Sequence, residues 1–323
     1  MRGEATPAQM AALLMGLRVK GEHADEVAGA AEALRRAMVK VEVGDADRLV
    51  DTCGTGGGRV GTLNVSTAAA FVVAGAGVPV AKHGNRSYTS RCGSADVLEA
   101  LGVDIDLAPA RAAGVLREVG LVFLYAPTYH PAMRHAAPVR KELGVATIMN
   151  LLGPLANPAG VRRQVIGVSS EDRAPLMAGA LARLGAAHAL VVHATIGMDE
   201  VSPAGATRVW EVFGGAVRHW TIAPGQYGLE CDDLDALAGG EPAENAIRVE
   251  RLLEGKGSEV ERCAVVLNAA AALYVSGNQP AFGECVARAR GALEGKAGAE
   301  VLARLRARAP SRAASRTPAV PAA

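Results

Sequence analysis

The chain has 323 residues, of which 50% are hydrophobic and 21% are charged, so it can bury a sizeable core in one large domain or two smaller ones. Lys and Arg number 34 against 33 Asp and Glu, and the resulting formal net charge of +1 argues against a protein that mainly coats nucleic acid or an acidic membrane. Aromatic residues make up only 3%, so rings that could stack on bases are scarce.

No stretch of the sequence predicts a membrane span or an export signal. The longest nearly apolar run, 68–81, is interrupted by Gly75, Gly77 and Pro79 and is shorter than the about 20 apolar residues that cross a bilayer. Residues 1–9 contain no apolar signal core. The five cysteines are odd in number and form no CxxC, which is untypical of a disulfide framework or a structural zinc site. We therefore expect a cytoplasmic protein.

Two helices are predicted at the N-terminus. Thr6-Pro7 is typical of an N-cap followed by proline at the first helical position. Apolar residues at helical spacing follow in two runs, one beginning at Met10 and one after Gly21. No strand pattern interrupts them, so we expect a small all-helical unit.

From Asp47 onward, strand and helix patterns alternate. Strands are predicted at 49–50, 78–81, 121–125, 164–168 and 189–193, and helices at 64–75, 94–101, 109–119 and 173–184. This alternation is typical of a mostly parallel sheet with helices on both faces. A helical segment at 130–152 interrupts it, a hairpin with a Gly214-Gly215 turn is predicted at 207–222, and helices follow at 241–253, at 260–275 and on to Ala307.

The predicted fold is therefore α/β, with a small all-helical domain and a larger α/β domain whose central sheet is mostly parallel. Residues 1–46 together with about 129–152 are predicted to form the helical domain. Residues 47–128 together with about 153–308 are predicted to form the α/β domain. Residues 309–323 are rich in alanine and proline and contain no acidic residue, so we expect a disordered tail.

A glycine-rich segment, Cys53-Gly54-Thr55-Gly56-Gly57-Gly58-Arg59-Val60-Gly61, lies between a predicted strand and a predicted helix. Glycines let consecutive backbone N–H groups turn toward an anion, and the N-terminus of the next helix faces the same place. A flexible turn is the alternative. Residues 56–61 also match GxGxxG, but a dinucleotide site requires an acidic residue where Lys82-His83 stands. The absence of GK[ST] excludes a triphosphate P-loop.

Polar and cationic residues follow the glycines. The next helix begins Asn64-Val65-Ser66-Thr67, and one of its polar side chains could be a simple cap, whereas three exceed what a cap requires. The second loop contributes Lys82, His83, Asn85, Arg86, Arg91, Ser94 and Asp96. A solvated polar loop is the alternative interpretation. Because ligands of open α/β sheets lie outside the carboxyl ends of the strands, we predict a site for a highly phosphorylated small molecule.

Two adjacent carboxylates, Asp199 and Glu200, follow the strand predicted at 189–193. Such a pair beside a phosphate site favours Mg²⁺, although acidic pairs are also common on surfaces. Arg140, in the helical insertion, could bind a carboxylate or could be a surface arginine. The histidines in or beside apolar strands are interpreted as structural; they are His188, His193 and His219.

From about Pro7 to Ala307 the sequence resembles the anthranilate phosphoribosyltransferase family, which catalyses the second step of tryptophan biosynthesis. The matching motifs, in chain order, are Gly54-Thr55-Gly56-Gly57, Asn64-Val65-Ser66-Thr67, Lys82-His83-Gly84-Asn85-Arg86-Ser87, Gly93-Ser94-Ala95-Asp96, Asn150-Leu151-Leu152-Gly153-Pro154-Leu155-Ala156-Asn157-Pro158, Asp199-Glu200-Val201-Ser202 and Glu244-Asn245-Ala246. The resemblance implies a homodimer that forms through the helical domain, an active site at the hinge between two domains, and the use of anthranilate, phosphoribosyl pyrophosphate and Mg²⁺.

The resemblance also implies residue roles, none of them as a catalytic acid or base. The residues implied for phosphoribosyl pyrophosphate are Gly54, Thr55, Gly56, Gly57, Gly58, Thr62, Asn64, Ser66, Thr67, Lys82 and Ser94. Those implied for anthranilate are Gly54, His83, Asn85, His130 and Arg140, with Arg140 facing the carboxylate. Those implied for Mg²⁺ are Ser66, Asp199 and Glu200. One departure is visible, because the family usually has Asp where this chain has Gly58, and we expect altered metal or substrate affinity.

Three alternative functions fit parts of the sequence. A pyrimidine nucleoside phosphorylase resembles this family in fold, but the Asp199-Glu200 pair and the 150–158 motif favour the pyrophosphate-dependent reaction. A non-catalytic nucleic-acid-binding relative is opposed by the net charge of +1 and the intact carboxylate pair. An NAD enzyme is opposed by Lys82.

Overall fold

The N-terminal helices form as predicted in the computed structural model, which describes residues 1–58, 60–87, 91–277 and 281–308. Helix α1 spans Pro7–Lys20 and α2 spans Ala24–Ala37. Thr6 caps α1, because its Oγ1 accepts the Gln9 N–H at 3.2 Å while Gln9 Oε1 accepts the Thr6 N–H at 2.9 Å. The tail predicted at 309–323 lies outside the described residues.

Seven strands form one sheet in the order β3-β2-β1-β4-β5-β6-β7. Their bounds are β1 Val50–Gly54, β2 Val80–Gly84, β3 Leu121–Tyr125, β4 Arg163–Gly167, β5 His188–Ala194, β6 Thr207–Phe213 and β7 Ala216–Ile222. The first five strands are parallel, and β6 and β7 add an antiparallel hairpin. The mostly parallel sheet is therefore confirmed. The chain leaves β1 toward β2 on one side and later returns to β4 on the other, so the strand order reverses between β1 and β4.

Helices cover both faces of the sheet. The remaining α-helices are α3 Val65–Gly75, α4 Ser94–Ala100, α5 Pro109–Val119, α6 Ala126–Tyr129, α7 Ala137–Leu143, α8 Met149–Leu155, α9 Arg173–Arg183, α10 Pro242–Leu253, α11 Glu259–Val275, α12 Phe282–Glu294 and α13 Ala297–Arg306. Side chains alternate along the strands, so Val165 and Leu190 face the core that contains α3 and α11, while Ile166 and Val191 face the core that contains α9.

The helical insertion predicted at 130–152 consists of short pieces. A 3₁₀ turn at Pro131–His135 precedes α7, and Gly144 ends α7 with a left-handed φ of 63°. Helix α7 packs on α1, and α8 packs on α2. The insertion thus rejoins the N-terminal helices, and their core is continuous with α9 and one sheet face. The domain boundaries given above stay a prediction.

Two element bounds differ from the sequence-based expectation. The strand predicted at 78–81 spans Val80–Gly84, so Lys82 and His83 lie within β2 rather than in the loop after it. Both side chains are buried and hydrogen-bonded, which is why polar residues can continue an apolar strand here. The predicted C-terminal helical run is two helices, separated at Gly295 and Lys296. In the part of the chain that the structure describes, no helix combines the length and apolar character of a membrane span.

Candidate active site

The glycine-rich segment joins the carboxyl ends of the two central strands. Thr55 donates its N–H to the Gly167 carbonyl at 2.9 Å, and Ser169 donates its N–H to Thr55 Oγ1 at 3.4 Å. Gly56 and Gly57 adopt left-handed φ angles of 69° and 82°, which other residues rarely adopt. The loop therefore lies at the β1–β4 reversal point, where ligands of open α/β sheets bind.

Asp199 lies against this loop because the residues that face it are glycines, which have no side chains. A Cβ atom on Gly167 would lie 1.6 Å from the Asp199 carbonyl oxygen. A Cβ on Gly58 would lie 2.6 Å from Asp199 Oδ1, and one on Gly54 would lie 3.4 Å from Oδ2. Glycines of β1, β4 and the glycine loop thus allow the Asp199 carboxylate to lie beside the loop that the sequence predicted to bind an anion.

The Asp199–Glu200 pair is held in a defined orientation. Thr62 Oγ1 donates to Glu200 Oε2 at 2.8 Å, and the Ser66 N–H donates to Oε1 at 3.2 Å. Loss of surrounding water, and secondarily the charge of Asp199, raises the pKa of Glu200 to about 8. Loss of water also raises the pKa of Asp199. Two adjacent carboxylates in such a place are stabilised by a shared proton or by a cation.

The ligands available here fit a hard cation. The carboxylates of Asp199 and Glu200 and the hydroxyl of Ser66 are oxygen ligands, the kind that Mg²⁺ prefers. Among the described residues, no cluster of three or more His, Cys, Asp or Glu side chains is arranged to hold a metal ion. Asp199, Glu200 and Ser66 by themselves would supply only part of a coordination shell, as is usual for Mg²⁺ sites that share the metal with a phosphate.

Lys82 is buried behind the glycine loop. Its Nζ donates to the main-chain oxygen of Thr52 and lies 3.3 Å from Ser66 Oγ. Burial lowers the pKa of Lys82, while the nearby Asp51, Cys53 and Glu200 oppose that fall. Lys82 therefore supports Ser66, on the first turn of α3, from within the sheet.

In the second predicted loop, which follows β2, several polar groups are bonded to the loop itself or to α4. Arg86 forms ion pairs with Asp96 at 2.9 Å and Glu99 at 2.8 Å. Ser94 Oγ donates to the Asn85 carbonyl at 3.2 Å. Arg86 is therefore committed to α4, and the loop is fixed to the start of that helix.

Asn64 precedes α3 and connects three parts of the site. Its Nδ2 donates to the Cys92 carbonyl at 3.1 Å, and its Oδ1 accepts from Asn245 Nδ2 at 3.0 Å. Its side chain forms no cap hydrogen bond to α3. Thr67, on the same first turn, is buried, and its hydroxyl has no hydrogen-bond partner in the described part of the protein. Asn64 thus links the start of α3, the second loop and α10.

Two buried histidines meet where the helical insertion reaches the sheet. His83 Nε2 and His130 Nε2 are 3.2 Å apart, and His83 Nδ1 lies 3.1 Å from the Gly153 carbonyl. Burial, and then the neighbouring His130 ring, lowers the pKa of His83 to about 3, and burial lowers the pKa of His130 to about 4. Both rings are therefore neutral at pH 7. Nδ1 of His130 is buried without a hydrogen-bond partner in the described structure.

Arg140 lies on α7 in the same helical insertion. It is half-buried, and its guanidinium forms no ion pair or side-chain hydrogen bond with any residue the structure describes. A guanidinium in this state can bind a carboxylate through two parallel hydrogen bonds.

Two buried residues near the site were not identified from the sequence. Asp51 is fully buried and accepts from the His83 N–H at 3.2 Å and from Asn157 Nδ2 at 2.8 Å. Asn268 on α11 donates to the Val201 carbonyl and accepts its N–H, which fixes the segment after Glu200. The sequence did carry a signal for Asp51: this acid directly follows Leu49-Val50, the predicted start of a strand, and a buried charge requires partners.

The other strand histidines occupy different surroundings. His188 Nε2 lies 2.8 Å from the buried Glu211 carboxylate, and His219 is exposed on β7. His193 Nδ1 lies 2.9 Å from the Val168 carbonyl. Its ring, with Ser169 and Thr195, lines a cavity of about 250 Å³ beside the glycine loop.

Known families match this arrangement. The α/β domain of a glycosyl transferase family matches residues 46–298, and the helical bundle domain of a glycosyl transferase family matches residues 1–38. The fold and the site thus define a two-domain protein of the glycosyl transferase class.

Individual relatives narrow the class. The anthranilate phosphoribosyltransferase of Rubrobacter xylanophilus is 51% identical over 304 residues, which cover 94% of this chain and 88% of the relative. The solved structure of the Thermus thermophilus enzyme has a TM-score of 0.90 at 46% identity, covering 95% of this chain and 91% of that one. The Saccharomyces cerevisiae enzyme in complex with PRPP and Mg has a TM-score of 0.86 at 30% identity, covering 94% and 85%. The chain therefore belongs to the anthranilate phosphoribosyltransferase family, as its sequence motifs predicted.

Proposed function

We propose that this chain transfers the 5-phosphoribosyl group of phosphoribosyl pyrophosphate to the amine of anthranilate, releasing pyrophosphate, as in the second step of tryptophan biosynthesis. The observation that carries the proposal is the position of Asp199 and Glu200 against the glycine loop at the β1–β4 reversal point. Solved yeast relatives in complex with PRPP and Mg and with 4-fluoroanthranilate support it.

The glycine loop is the proposed binding site for the pyrophosphate. Backbone N–H groups of Gly54–Gly58 would donate to its oxygens without a change of conformation at the moment of reaction. Asn64, Ser66 and the N-terminus of α3 adjoin this loop, and Ser94 fixes the second loop beside it. Lys82 is buried, so it would position the Ser66 hydroxyl by a hydrogen bond rather than contact the phosphate itself.

Mg²⁺ is the proposed cation. Asp199, Glu200 and Ser66 would hold it together with oxygens of the substrate. When bound, Mg²⁺ neutralises negative charge on the leaving pyrophosphate. The residues of this chain orient the two carboxylates, because Thr62 and Ser66 hold Glu200 and Asn268 holds the following segment.

Anthranilate is proposed to bind between the glycine loop and the helical insertion. Arg140 would bind its carboxylate, since that guanidinium has no partner among the described side chains, and the neutral His83–His130 pair with Asn85 and Gly54 would line the ring. The aromatic amine is already neutral at pH 7, so no strong base is required. Catalysis then depends on electrostatic stabilisation and on placement of the two substrates.

The test is a product assay that follows the loss of anthranilate fluorescence. Protein, anthranilate, phosphoribosyl pyrophosphate and Mg²⁺ are combined, and release of one pyrophosphate per anthranilate consumed is the expected result. Omission of either substrate, or the double substitution Asp199→Asn with Glu200→Gln, should abolish most of the signal. Phosphorolysis of a pyrimidine nucleoside with no consumption of anthranilate would overturn the proposal.

A homodimer formed through the helical domain is a further part of the proposal, as is a cytoplasmic location. Helix α1 supports the first, because it exposes two large apolar side chains, Leu13 (63%) and Val19 (81%). Light scattering should give twice the 33.0 kDa chain mass. Leu13→Glu should shift that mass toward the monomer, whereas a wild-type mass of one chain would contradict the dimer.

A further inference from the structure

Two cysteine thiols touch each other outside the proposed active site. Cys231 Sγ lies 3.0 Å from Cys263 Sγ, although the two residues are distant in sequence. Both are free thiols. Cys231 is half-buried in the irregular chain after β7, and Cys263 is buried on α11. Contact between two thiols, one of them partly open to solvent, is the arrangement from which a disulfide can form.

The contact joins two elements that both reach the carboxylate pair. We call residues 229–240 the strap. Its Leu237 carbonyl accepts the Leu63 N–H at 2.8 Å, and its Gly239 N–H donates to the Gly61 carbonyl at 3.0 Å. Between those two bonds lies Thr62, the hydroxyl donor to Glu200.

Helix α11 approaches the same carboxylates from the other side. Its Asn268 holds the main chain of Val201, the residue after Glu200. A covalent bond between Cys231 and Cys263 would therefore connect the two supports of the Asp199–Glu200 segment.

We propose that Cys231 and Cys263 form a disulfide when the protein is exposed to a peroxide, and that the bond fixes the strap to α11. Cys231 sulfur attacks one peroxide oxygen, the O–O bond breaks, and a sulfenic acid and one water result. Cys263 sulfur then displaces the sulfenic hydroxyl, which leaves as a second water with the remaining thiol proton. Two thiols lose two electrons in total, and one hydrogen peroxide is reduced to two waters.

The surroundings set the order and the speed of these steps. Cys231 reacts first because it is the more accessible of the two. Burial, and then contact with Cys231, raises the pKa of Cys263 to about 12, so this thiol is rarely ionised and is a weak nucleophile. The sulfur of Cys263 already touches the sulfur of Cys231, and this proximity offsets part of its low reactivity. The pair is therefore a slow responder to strong oxidation, and it stays reduced under ordinary cytoplasmic conditions.

The movement required is small. A disulfide bond is shorter than the present sulfur contact by about 1 Å, which a half-buried residue in irregular chain can supply. The fold and the catalytic residues should therefore persist after oxidation. The strap should open less often, and amide hydrogen exchange reports such local opening.

The test begins with chemistry. The full chain is incubated with millimolar hydrogen peroxide, unfolded, and assayed for free thiols, which should fall from five to three. A non-reducing peptide map should contain one cross-linked species that joins the Cys231 and Cys263 peptides, and dithiothreitol should remove it. Over-oxidation of Cys231 to a sulfinic acid with Cys263 still a thiol would overturn the proposal.

Variants and hydrogen exchange complete the test. Cys231→Ser and Cys263→Ser should each abolish the cross-link, whereas Cys285→Ser, at another buried cysteine, should leave it intact. Should Cys263→Ser fold poorly, Cys231→Ser decides alone, because its site is half-buried. Exchange at the Gly239 amide should slow at least tenfold in the oxidised wild type. Unchanged exchange there would refute the fixing of the strap.

Discussion

Gly58 stands where the motif resemblance leads us to expect an aspartate, and its contact with Asp199 gives the glycine a measurable consequence. A Cβ atom there would lie 2.6 Å from Asp199 Oδ1 and 3.2 Å from Asp199 Cγ. The φ angle of Gly58 is not left-handed, so alanine is opposed only by this contact. Gly58→Ala must displace the Asp199 carboxylate by about 0.7 Å. Because Asp199 Oδ1 is the movable end of a side chain, the cost lies at the low end of the range for overpacking, about 1 kcal/mol or about fivefold in an equilibrium constant.

We expect Gly58→Ala to raise the Mg²⁺ concentration for half-maximal activity about fivefold and to raise the KM for phosphoribosyl pyrophosphate with it. The KM for anthranilate should stay within twofold. Gly58→Asp adds the same Cβ together with a charge near Asp199. The difference in Mg²⁺ dependence between the Asp and Ala variants therefore reports the effect of the added charge. At about 4 Å and an effective dielectric constant of about 20, the repulsion is about 4 kcal/mol, which a bound cation relieves. The Asp variant should therefore bind Mg²⁺ more tightly than the Ala variant.

Steady-state kinetics across a Mg²⁺ series, with Mg²⁺ binding measured by calorimetry, check these expectations. Gly61→Ala is the matched control, because a Cβ at that nearby glycine meets no described atom within 4 Å. It should behave like wild type. If only the KM for anthranilate moved in the Gly58 variants, the loop would not be the pyrophosphate site.

Three further predictions concern the other parts of the site. Asp199→Asn with Glu200→Gln should leave the circular dichroism spectrum unchanged and remove most turnover, and full activity at saturating Mg²⁺ would contradict the metal role. Arg140→Ala should raise the KM for anthranilate about tenfold or more, since a charged hydrogen bond contributes about 1.5–3 kcal/mol, and an equal rise for both substrates would count against it. The pKa values of His83 and His130, about 3 and about 4, lie below the unfolded value of about 6.5. Protonation of these histidines in the unfolded chain therefore lowers the free energy of unfolding as the pH falls from about 6.5 toward 4. At pH 5 each histidine should lower that free energy by about 2 kcal/mol relative to pH 7.5. Urea unfolding of the wild type and of His130→Asn at pH 7.5 and pH 5 measures the His130 share, because the opposite pH dependence of Glu200, whose pKa is raised to about 8, is common to both proteins. Between the two pH values His130→Asn should lose about 2 kcal/mol less stability than the wild type, and equal losses in both proteins would contradict the prediction.

Local patterns were sufficient to predict the framework of the fold and the glycine loop. Strand–helix alternation indicated the parallel sheet, and the Gly54–Gly58 segment fell at a predicted strand end, where it lies in the structure. Both patterns involve residues that are close in the sequence, so they can be recognised without knowledge of the tertiary contacts.

Interactions between distant residues could not be predicted in this way. Lys82 and His83 were expected in a loop because polar residues rarely continue a buried strand. They do so here because Thr52, Ser66 and the Gly153 carbonyl supply partners that no local pattern identifies. The contact between Gly58 and Asp199 is likewise a product of tertiary packing.

A crystal structure of the protein with phosphoribosyl pyrophosphate and Mg²⁺ would show whether the glycine loop and the carboxylate pair bind this substrate together. We expect pyrophosphate oxygens to lie within hydrogen-bonding distance of the N–H groups of Gly54–Gly58. We also expect a Mg²⁺ ion between that pyrophosphate and Asp199 or Glu200, bound directly or through water. Pyrophosphate bound instead in the cavity lined by Ser169, His193 and Thr195, with the glycine loop vacant, would show that the glycine loop is not the pyrophosphate site.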